Sequence, residues 1–318
     1  MCGIFWIVRQ NGEANKEGEL VKDLIIGISR LEYRGYDSAW IAIISQGKTD
    51  ILRERALGKV HDLESKIENN TAIKNISTGV GIAHTRWATH GEANDTNAHP
   101  HFNTNGDLAV IHNGIIENYY ALKTELQARG YQFRSETDTE VLVHLIEEIK
   151  KNVDCSLDEA VRLALNEVIG AYAIVVISKN EPDKLIVAKL SSPLVVGIGD
   201  DELFVASDGS PLIEHTKKVS YLEDGQMAVL HRNGQLDVKT IKDNKTHVPY
   251  IDELQLKLEE IEKGGFDHFM MKEIHEQPQA IKNSIRGRID SQQFWVNLGG
   301  VREHEARFKN ANKITIVA

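Results

Sequence analysis

Cys2 stands directly behind the initiator methionine, and this position gives its side chain unusual chemistry. If Met1 is removed, the thiol and a free α-amino group belong to the same residue. A thiolate is a strong nucleophile, and an α-amino group with a pKa of about 7.7 to 8.0 can accept the thiol proton near neutral pH. Cys2 is therefore a candidate nucleophile that carries its own base. The alternative is a passive cysteine with no part in chemistry.

Four further clusters hold polar residues at places where a scaffold alone would not need them. They are "LEYRGYDSA" (31–39), "HTRWATHGE" (84–92), "HNGIIEN" (112–118) and "SETDTE" (135–140). Taken singly, each has an ordinary explanation, because Asp138 ahead of a helix is commonly an N-cap and Arg86 could be a solvated charge. Their order along the chain carries more information than any one of them.

Histidines suggest a competing chemistry, because five of the 13 crowd into one region. These five are His84, His90, His99, His101 and His112. A metal-dependent hydrolase is therefore one hypothesis. The spacing matches no zinc-ligand pattern and no HExxH occurs, and a neutral, hydrogen-bonded core histidine is a common alternative. We expect no metal and no cofactor.

Composition limits the class of protein. The 318 residues are 41% apolar, which is enough for a substantial core, and the net charge of −10 argues against nucleic acid as the main partner. Two cysteines far apart in sequence suggest no disulfide framework, and nothing resembles a signal peptide. No apolar run approaches the roughly 20 residues of a bilayer span. We expect a globular, cytoplasmic protein that does not bind membranes.

Apolar periodicity predicts strands and helices in blocks. Strands are expected at "CGIFWIV", "SAWIAII", "GVGIAHTR" and "DLAVIHNG", and short β-rich runs follow from "AYAIVVIS" to "MAVLHRNGQLDVKTI". Helices are expected over 20–31 and at "VHDLESKIE", "NYYALKTELQARG", "TEVLVHLIEEIKK" and "SLDEAVRLALNEV". This pattern predicts an α+β fold with stacked sheets between helical layers.

Beyond the strand-rich region the pattern changes. The polar stretch "KDNKTHVPY" (242–250) has the composition of a linker. An acidic helix, "IDELQLKLEEIEK", and a second helical segment from "FDHFMMKEIHEQP" are expected to follow. The last residues, "NKITIVA", read as the start of a buried strand.

In chain order, "CGIF", "LEYRGYDSA", "IAHTRWATHGE", "NAHPH", "VIHNGIIEN" and "SETDTE" resemble the glutaminase half of the glutamine:fructose-6-phosphate amidotransferases, also called glucosamine-6-phosphate synthases. The likeness continues through "GAYAIVVIS", "SPLVVGIG" and "FVASD" to "HFMMKEIHEQP". It implies the four-layer αββα sandwich of N-terminal-nucleophile hydrolases. On this basis we assign a glutaminase domain to 2–240, linker and helices to 241–312, and the start of a sugar isomerase domain to 313–318.

The resemblance also implies roles for individual residues. Cys2 would attack the side-chain amide of L-glutamine and form a γ-glutamyl thioester. Asn113 and the Gly114 N–H would form the oxyanion hole, where losing one donor typically costs roughly 3 to 4 kcal/mol. Arg86 would bind the substrate α-carboxylate and Asp138 the α-ammonium group. The rest of the pocket would come from Trp87, Thr89 and His90, with Arg34 shaping the closed state or giving structural support.

In the family the released ammonia passes to a second domain that binds fructose 6-phosphate. That domain would begin around "KITIVA", so we expect these 318 residues to release ammonia without making glucosamine 6-phosphate. The resemblance further implies a homodimer for the full-length enzyme.

Two tryptophans depart from the family pattern. Trp6 and Trp40 stand where the motifs carry glycine, and strand alternation places Trp6 on the same face as Cys2. We expect their strands to be neighbours, the two indoles to touch or share a core pocket, and glutaminase activity to be lowered. Separate surface tryptophans are the alternative. A catalytically attenuated domain that binds glutamine or a partner is the second functional hypothesis.

Overall fold

The structure is a computed structural model that describes residues 2–9, 17–35, 37–48, 50–86, 94, 96–254, 266, 268–285, 289–290, 295–296, 305–313 and 315. The chain forms two compact units, Met1–Lys257 and Leu258–Ala318.

Two sheets form the first unit. Its strands are, in chain order, β1 Gly3–Arg9, β2 Ser38–Ser45, β3 Ile51–Leu57, β4 Gly79–Arg86, β5 His101–Phe102, β6 Leu108–Ile116, β7 Gly170–Ser178, β8 Lys184–Leu190, β9 Val195–Ile198, β10 Glu202–Ala206, β11 Lys218–Tyr221, β12 Gln226–His231, β13 Leu236–Thr240, β14 Thr246–His247 and β15 Asp252–Glu253. The eight-stranded sheet has the order β15-β11-β9-β10-β1-β4-β2-β3, and the seven-stranded sheet has the order β14-β13-β12-β8-β7-β6-β5. Neighbouring strands of both sheets run antiparallel.

Helices cover the outer face of each sheet. In the first unit they are α1 Glu19–Ser29, α2 Val60–Glu68, α3 Tyr119–Ala128, α4 Thr139–Asn152 and α5 Leu157–Asn166. The apolar stripe of α1, including Leu20 and Leu24, packs with Phe5 and Ile7 on the eight-stranded sheet. Leu142 of α4 packs in the same way with strands of the seven-stranded sheet. Apolar residues need this cover, because each sheet would otherwise expose one face to water.

The two sheets pack face to face. Ile4, Trp6 and Trp40 from one sheet share a buried cluster with Ile111 and Val175 from the other. Helix, sheet, sheet and helix thus form four layers. The predicted αββα sandwich is confirmed.

Strand β4 lies between β1 and β2, so the expectation that the two tryptophan strands are neighbours is wrong. Trp6 lies opposite Ile82 of β4, and Trp40 lies opposite His84 of the same strand. Both indoles are 1% exposed and belong to the core between the sheets, so they are not surface residues. The shared core pocket is therefore present, although one strand separates the two positions.

Residues 241–254, predicted as part of the linker region, contribute to both sheets. Strand β14 pairs with β13, and β15 pairs with β11. The first compact unit accordingly ends at Lys257 rather than at residue 240. The acidic helix expected at 251–263 falls mostly outside the described residues, apart from β15, which is extended.

The second unit contains helix α6 Phe269–Ile285, strands β16 Ile289–Asp290 and β17 Trp295–Val296, and helix α7 Glu305–Lys309. Helix α6 includes the predicted segment "FMMKEIHEQP" and continues past Pro278. Of the strand expected at "KITIVA", only Lys313 and Thr315 are described, and neither is assigned to a strand. In the described part of the chain, no helix has the length and apolar character to cross a bilayer.

Candidate functional site

A cavity of about 390 Å³ opens beside Cys2, and we call it the Cys2 cavity. Both sheets contribute to its wall. Six of the nine candidate residues line it: Cys2, Arg34, Arg86, Asn113, Gly114 and Asp138. The other three, Trp87, Thr89 and His90, lie outside the described residues.

Backbone and side-chain hydrogen bonds fix Cys2 at the start of β1. The Ile4 N–H donates to Ser207 Oγ at 2.9 Å, and the Ser207 N–H returns a bond to the Ile4 carbonyl at 3.0 Å. Asn113 Nδ2 donates to the Cys2 carbonyl at 3.0 Å. The half-buried Cys2 is therefore held at the cavity wall by Asn113 of β6 directly, and by Ser207, which follows β10, through Ile4.

Asn113 and Gly114 lie near the end of β6 and face the cavity. Gly114 has φ +140°, and a Cβ there would lie only 1.9 Å from the Ala171 carbonyl oxygen. Only glycine fits, because the backbone is in a region that side chains disfavour and the neighbouring strand leaves no room. The Gly114 N–H and the second hydrogen of the Asn113 amide are suited to an anionic oxygen close to Cys2.

Asp138 occupies the N-cap position of α4, but its side chain makes no capping bond there. Its Oδ2 instead accepts the Ile116 N–H at 2.7 Å, and the side chain is nearly buried at the cavity. The N-cap interpretation of this carboxylate is therefore wrong. A buried carboxylate that lines a cavity is suited to binding a cation.

Arg86 ends β4 and is 4% exposed. Burial lowers the pKa of its guanidinium, and the charges of Cys2 and Asp37 act in the opposite direction. Arginine nevertheless stays protonated in proteins. A buried cation in the wall of the Cys2 cavity is suited to binding a carboxylate.

Arg34 connects the start of β1 to the loop after β10. Its Nε lies 3.4 Å from the Cys2 carbonyl, and its Nη1 donates to Asp208 Oδ2 at 3.1 Å. The Tyr33 hydroxyl donates to the same Asp208 oxygen at 2.6 Å. Burial, together with Asp208, raises the pKa of Tyr33, which keeps the hydroxyl protonated as a donor. Arg34 thus joins the Cys2 carbonyl to Asp208 in the wall of the cavity.

Four buried histidines, His84, His99, His101 and His112, form a histidine layer beside the cavity. Burial lowers the pKa of all four, to about 3 for His84 and about 4 for His101. They are neutral at pH 7, since each pKa lies below the ordinary value.

The ring nitrogens of the histidine layer contact polar side chains. His99 Nε2 and His112 Nδ1 each lie 3.1 Å from Thr139 Oγ1, and His101 Nε2 lies 2.9 Å from Thr137 Oγ1. Across the described ranges, no group of three or more His, Cys, Asp or Glu side chains is placed to hold a metal ion. His99, His101 and His112 are buried and hydrogen-bonded, as in the alternative that the sequence offered to a metal site.

Sequence reasoning gave several residues of the site no role in it. Ser207 and Glu117 line the cavity, and His84 contacts Asn113 across the two sheets. Ser207 could have been predicted, because it lies in "FVASD", one of the motifs that resemble the family. The contact between His84 and Asn113 could not, since a contact between sheets depends on strand order and packing.

The sandwich and the Cys2 cavity agree with the match to a family model described as a glutamine amidotransferase domain, which covers residues 68–255. The chain belongs to the glutamine amidotransferase family.

Curated relatives indicate which enzymes of this family the chain resembles. The chain is 50% identical over 319 residues to a glutamine–fructose-6-phosphate aminotransferase (isomerizing) of Chlorobaculum tepidum, and 52% identical over 318 residues to that of Bacteroides thetaiotaomicron. Each alignment covers 100% of this chain and 50% of the relative. The chain thus spans about half the length of the curated relatives that it matches.

Solved structures support the same fold. A glutamine phosphoribosylpyrophosphate amidotransferase from B. subtilis, in complex with ADP and GMP, matches with a TM-score of 0.62 and 26% identity. The match covers 76% of this chain and 50% of the other.

Proposed function

We propose that this chain is the glutaminase part of an enzyme that transfers glutamine nitrogen to fructose 6-phosphate. One observation carries the proposal: a single cavity brings Cys2 together with a cation, an anion and an oxyanion-type donor pair. Arg86 binds the α-carboxylate of L-glutamine, and Asp138 binds the α-ammonium group. Those two contacts orient the side-chain amide toward the thiol.

The reaction consists of two acyl transfers. The Cys2 sulfur attacks the amide carbon, and the Cys2 α-amine takes the thiol proton. Asn113 and the Gly114 N–H hold the oxyanion, the C–N bond breaks, and the proton leaves with ammonia. Water then hydrolyses the γ-glutamyl thioester, which releases glutamate and restores the thiol. The base exists only after Met1 is removed.

Release of ammonia from L-glutamine by purified protein tests this proposal, with intact mass recorded to establish whether Met1 is present. Cys2→Ala should abolish release and leave the fold intact, and protein that keeps Met1 should be similarly inactive. Cys155→Ala is the matched control, because it removes the other cysteine and should keep full activity. Full activity of Cys2→Ala would overturn the mechanism.

The similarity to the half-matching relatives supports three further proposals. Ammonia is used by a sugar-phosphate domain that binds fructose 6-phosphate, the full-length enzyme is a homodimer, and it works in the reducing cytoplasm. Sedimentation of the full-length protein tests the dimer, and a monomer at micromolar concentration would contradict it. Fractionation of cells tests the location.

A second candidate, an attenuated glutamine-binding domain, was suggested by Trp6 and Trp40. Neither indole is among the described residues that line the Cys2 cavity. Direct obstruction of the thiol by these side chains is therefore not supported, and the glutaminase remains the function that the geometry favours.

A further inference from the structure

His84 makes a polar contact that joins the two sheets at the Cys2 cavity. It lies on β4, is 0% exposed, and its Nε2 is 3.0 Å from Asn113 Oδ1 on β6. An amide oxygen can only accept a hydrogen bond, so the histidine nitrogen that faces it must carry the proton.

The opposite orientation of the Asn113 amide is unfavourable. Nδ2 of Asn113 now lies 3.0 Å from the Cys2 carbonyl oxygen. In a flipped amide Oδ1 would take the place of Nδ2, and the two oxygens, both acceptors, would repel each other. The observed arrangement satisfies both ends of the amide. The Cys2 carbonyl thus selects this orientation of the amide, and His84 protonated on Nε2 holds the oxygen end in place.

The protonation state of His84 supports this role. Burial lowers the pKa of His84 to about 3, so the ring is neutral and carries one N–H. Its Nδ1 is buried with no hydrogen-bond partner among the described residues. A proton placed there would leave a donor buried and unpaired, whereas a proton on Nε2 reaches Asn113.

Two rings restrict the movement of His84. Trp40, opposite it in the β2–β4 pairing, stacks on His84 with centroids 5.2 Å apart and 25° between the planes. The His99 ring lies 4.8 Å away. Side chains packed in this way cannot change rotamer without opening a void in the core.

We propose that His84 is a positioning residue that holds the Asn113 amide in the orientation needed at the oxyanion, and that Trp40 braces His84. The proposal rests on the proposed function, in which Asn113 supplies that donor. It also gives Trp40 a supporting part in catalysis, where the sequence alone suggested an inhibitory one.

Steady-state kinetics with L-glutamine test the assignment. His84→Leu removes the donor and should lower kcat by up to about 100-fold, because a misdirected donor loses transition-state contact, while KM changes less than about twofold. His84→Gln can place an amide N–H near the same point and should recover most of kcat. A normal kcat in His84→Leu would overturn the proposal.

A double-mutant cycle separates positioning from general damage. Asn113→Ala alone should lower kcat, and adding His84→Leu to it should cause no further loss, because His84 acts through Asn113. If the kcat of the double variant is lowered by the product of the two single losses, the proposal is contradicted. If Asn113→Ala and Cys2→Ala both keep full activity, the proposed function itself fails, whereas an impaired Asn113→Ala with a normal His84→Leu defeats only this inference.

Trp40 provides a second comparison. Trp40→Phe keeps an aromatic face and should retain kcat, whereas Trp40→Ala should lower it in folded protein. Trp6→Ala is the matched control, because Trp6 is an equally buried indole on the other side of β4 and should affect stability without changing kcat. Equal kcat losses in Trp40→Ala and Trp6→Ala would overturn the bracing role.

A measurement that does not use activity covers the case in which the leucine variant fails to fold. Ring ¹⁵N chemical shifts of His84 in the resting protein should show a neutral ring protonated on Nε2. A ring protonated on Nδ1, or an imidazolium at pH 7, would overturn the assignment.

Discussion

Arg86 and Asp138 carry opposite charges in the wall of one cavity, and both are nearly buried. Hydrogen bonds to charged groups contribute about 1.5 to 3 kcal/mol, so losing one should raise KM for glutamine by about 10- to 140-fold. We therefore expect Arg86→Ala and Asp138→Asn each to raise KM in ammonia-release assays, with a smaller change in stability. Arg86→Lys should also be impaired, since lysine lacks the planar fork.

The control for these variants is Arg129→Ala, which changes an arginine whose side chain is 48% exposed on the surface. Its KM should equal that of the unchanged protein. Normal binding and turnover by both Arg86→Ala and Asp138→Asn would place the substrate elsewhere.

At the residue scale, the sequence predicted those site members whose chemistry requires a particular side chain. Cys2 was a candidate from its residue type and position, whereas Arg86 and Asp138 were candidates only through the family resemblance, because each has an ordinary explanation when taken alone. The tautomer of His84 and its contact with Asn113 could not be predicted, since they depend on a 3.0 Å distance between different sheets.

At the element scale, the first turn of α4 organises the loop that carries Asp138. Glu140 accepts the N–H groups of Arg134 at 2.8 Å and Ser135 at 2.7 Å, and also the Ser135 hydroxyl at 2.7 Å. Burial alone would raise the pKa of Glu140, but these donors and the nearby His144 outweigh burial and lower it to about 2. The carboxylate is therefore ionised and stabilising at neutral pH.

Glu140→Gln should lower the free energy of unfolding by roughly 1 to 3 kcal/mol at pH 7, because the amide turns a donor toward N–H groups that need an acceptor. Urea denaturation measures this loss. Since the carboxylate is lost on protonation, the difference between the two proteins should shrink as the pH falls from about 4.5 toward 2. Glu64→Gln, on an exposed side chain, should show no such difference, and an equal loss in both variants would contradict the role of Glu140 in ordering the loop.

Strands and helices with strong periodicity were predictable, as for β2, β4 and α4. Strand β3 was not named, because its sequence "ILRERAL" mixes charged and apolar residues at a sheet edge. The short strands β14 and β15 were missed for another reason: two residues carry no periodic signal, and only pairing with β13 and β11 makes them strands. The order of the strands within a sheet could not be predicted either, because β4 pairs with β1 and β2 through contacts between residues distant in sequence.

At the scale of the whole molecule, the histidine layer makes stability depend on pH. The unfolded chain binds protons at these histidines near pH 6.5, whereas the folded protein resists protonation until about pH 4 at His101 and about pH 3 at His84. The unfolded state thus binds more protons in this window. The free energy of unfolding should fall as the pH drops from about 6.5 to 5, by up to about 1.4 kcal/mol per pH unit for each histidine.

Urea denaturation at several pH values tests this dependence. His101→Gln should reduce the slope, because one proton-binding site is removed from the unfolded state. His61→Gln, where the side chain is 83% exposed, should leave the slope unchanged. An unaltered slope in His101→Gln would show that the buried ring does not account for the effect.

The central place of β1 in the eight-stranded sheet also constrains biosynthesis. Phe5 of β1 pairs with Ala206 of β10. Strand β1 therefore lacks this neighbour until about 200 further residues have been synthesised, which takes about 10 to 40 s at ordinary translation rates. During that interval the chain end is accessible to processing enzymes, and after it the strand is flanked on both sides. Removal of Met1 should therefore be largely cotranslational. Methionine aminopeptidase should act more slowly on the folded, Met1-bearing protein than on the same chain unfolded, and equal rates, followed by mass spectrometry, would show that the folded end stays open.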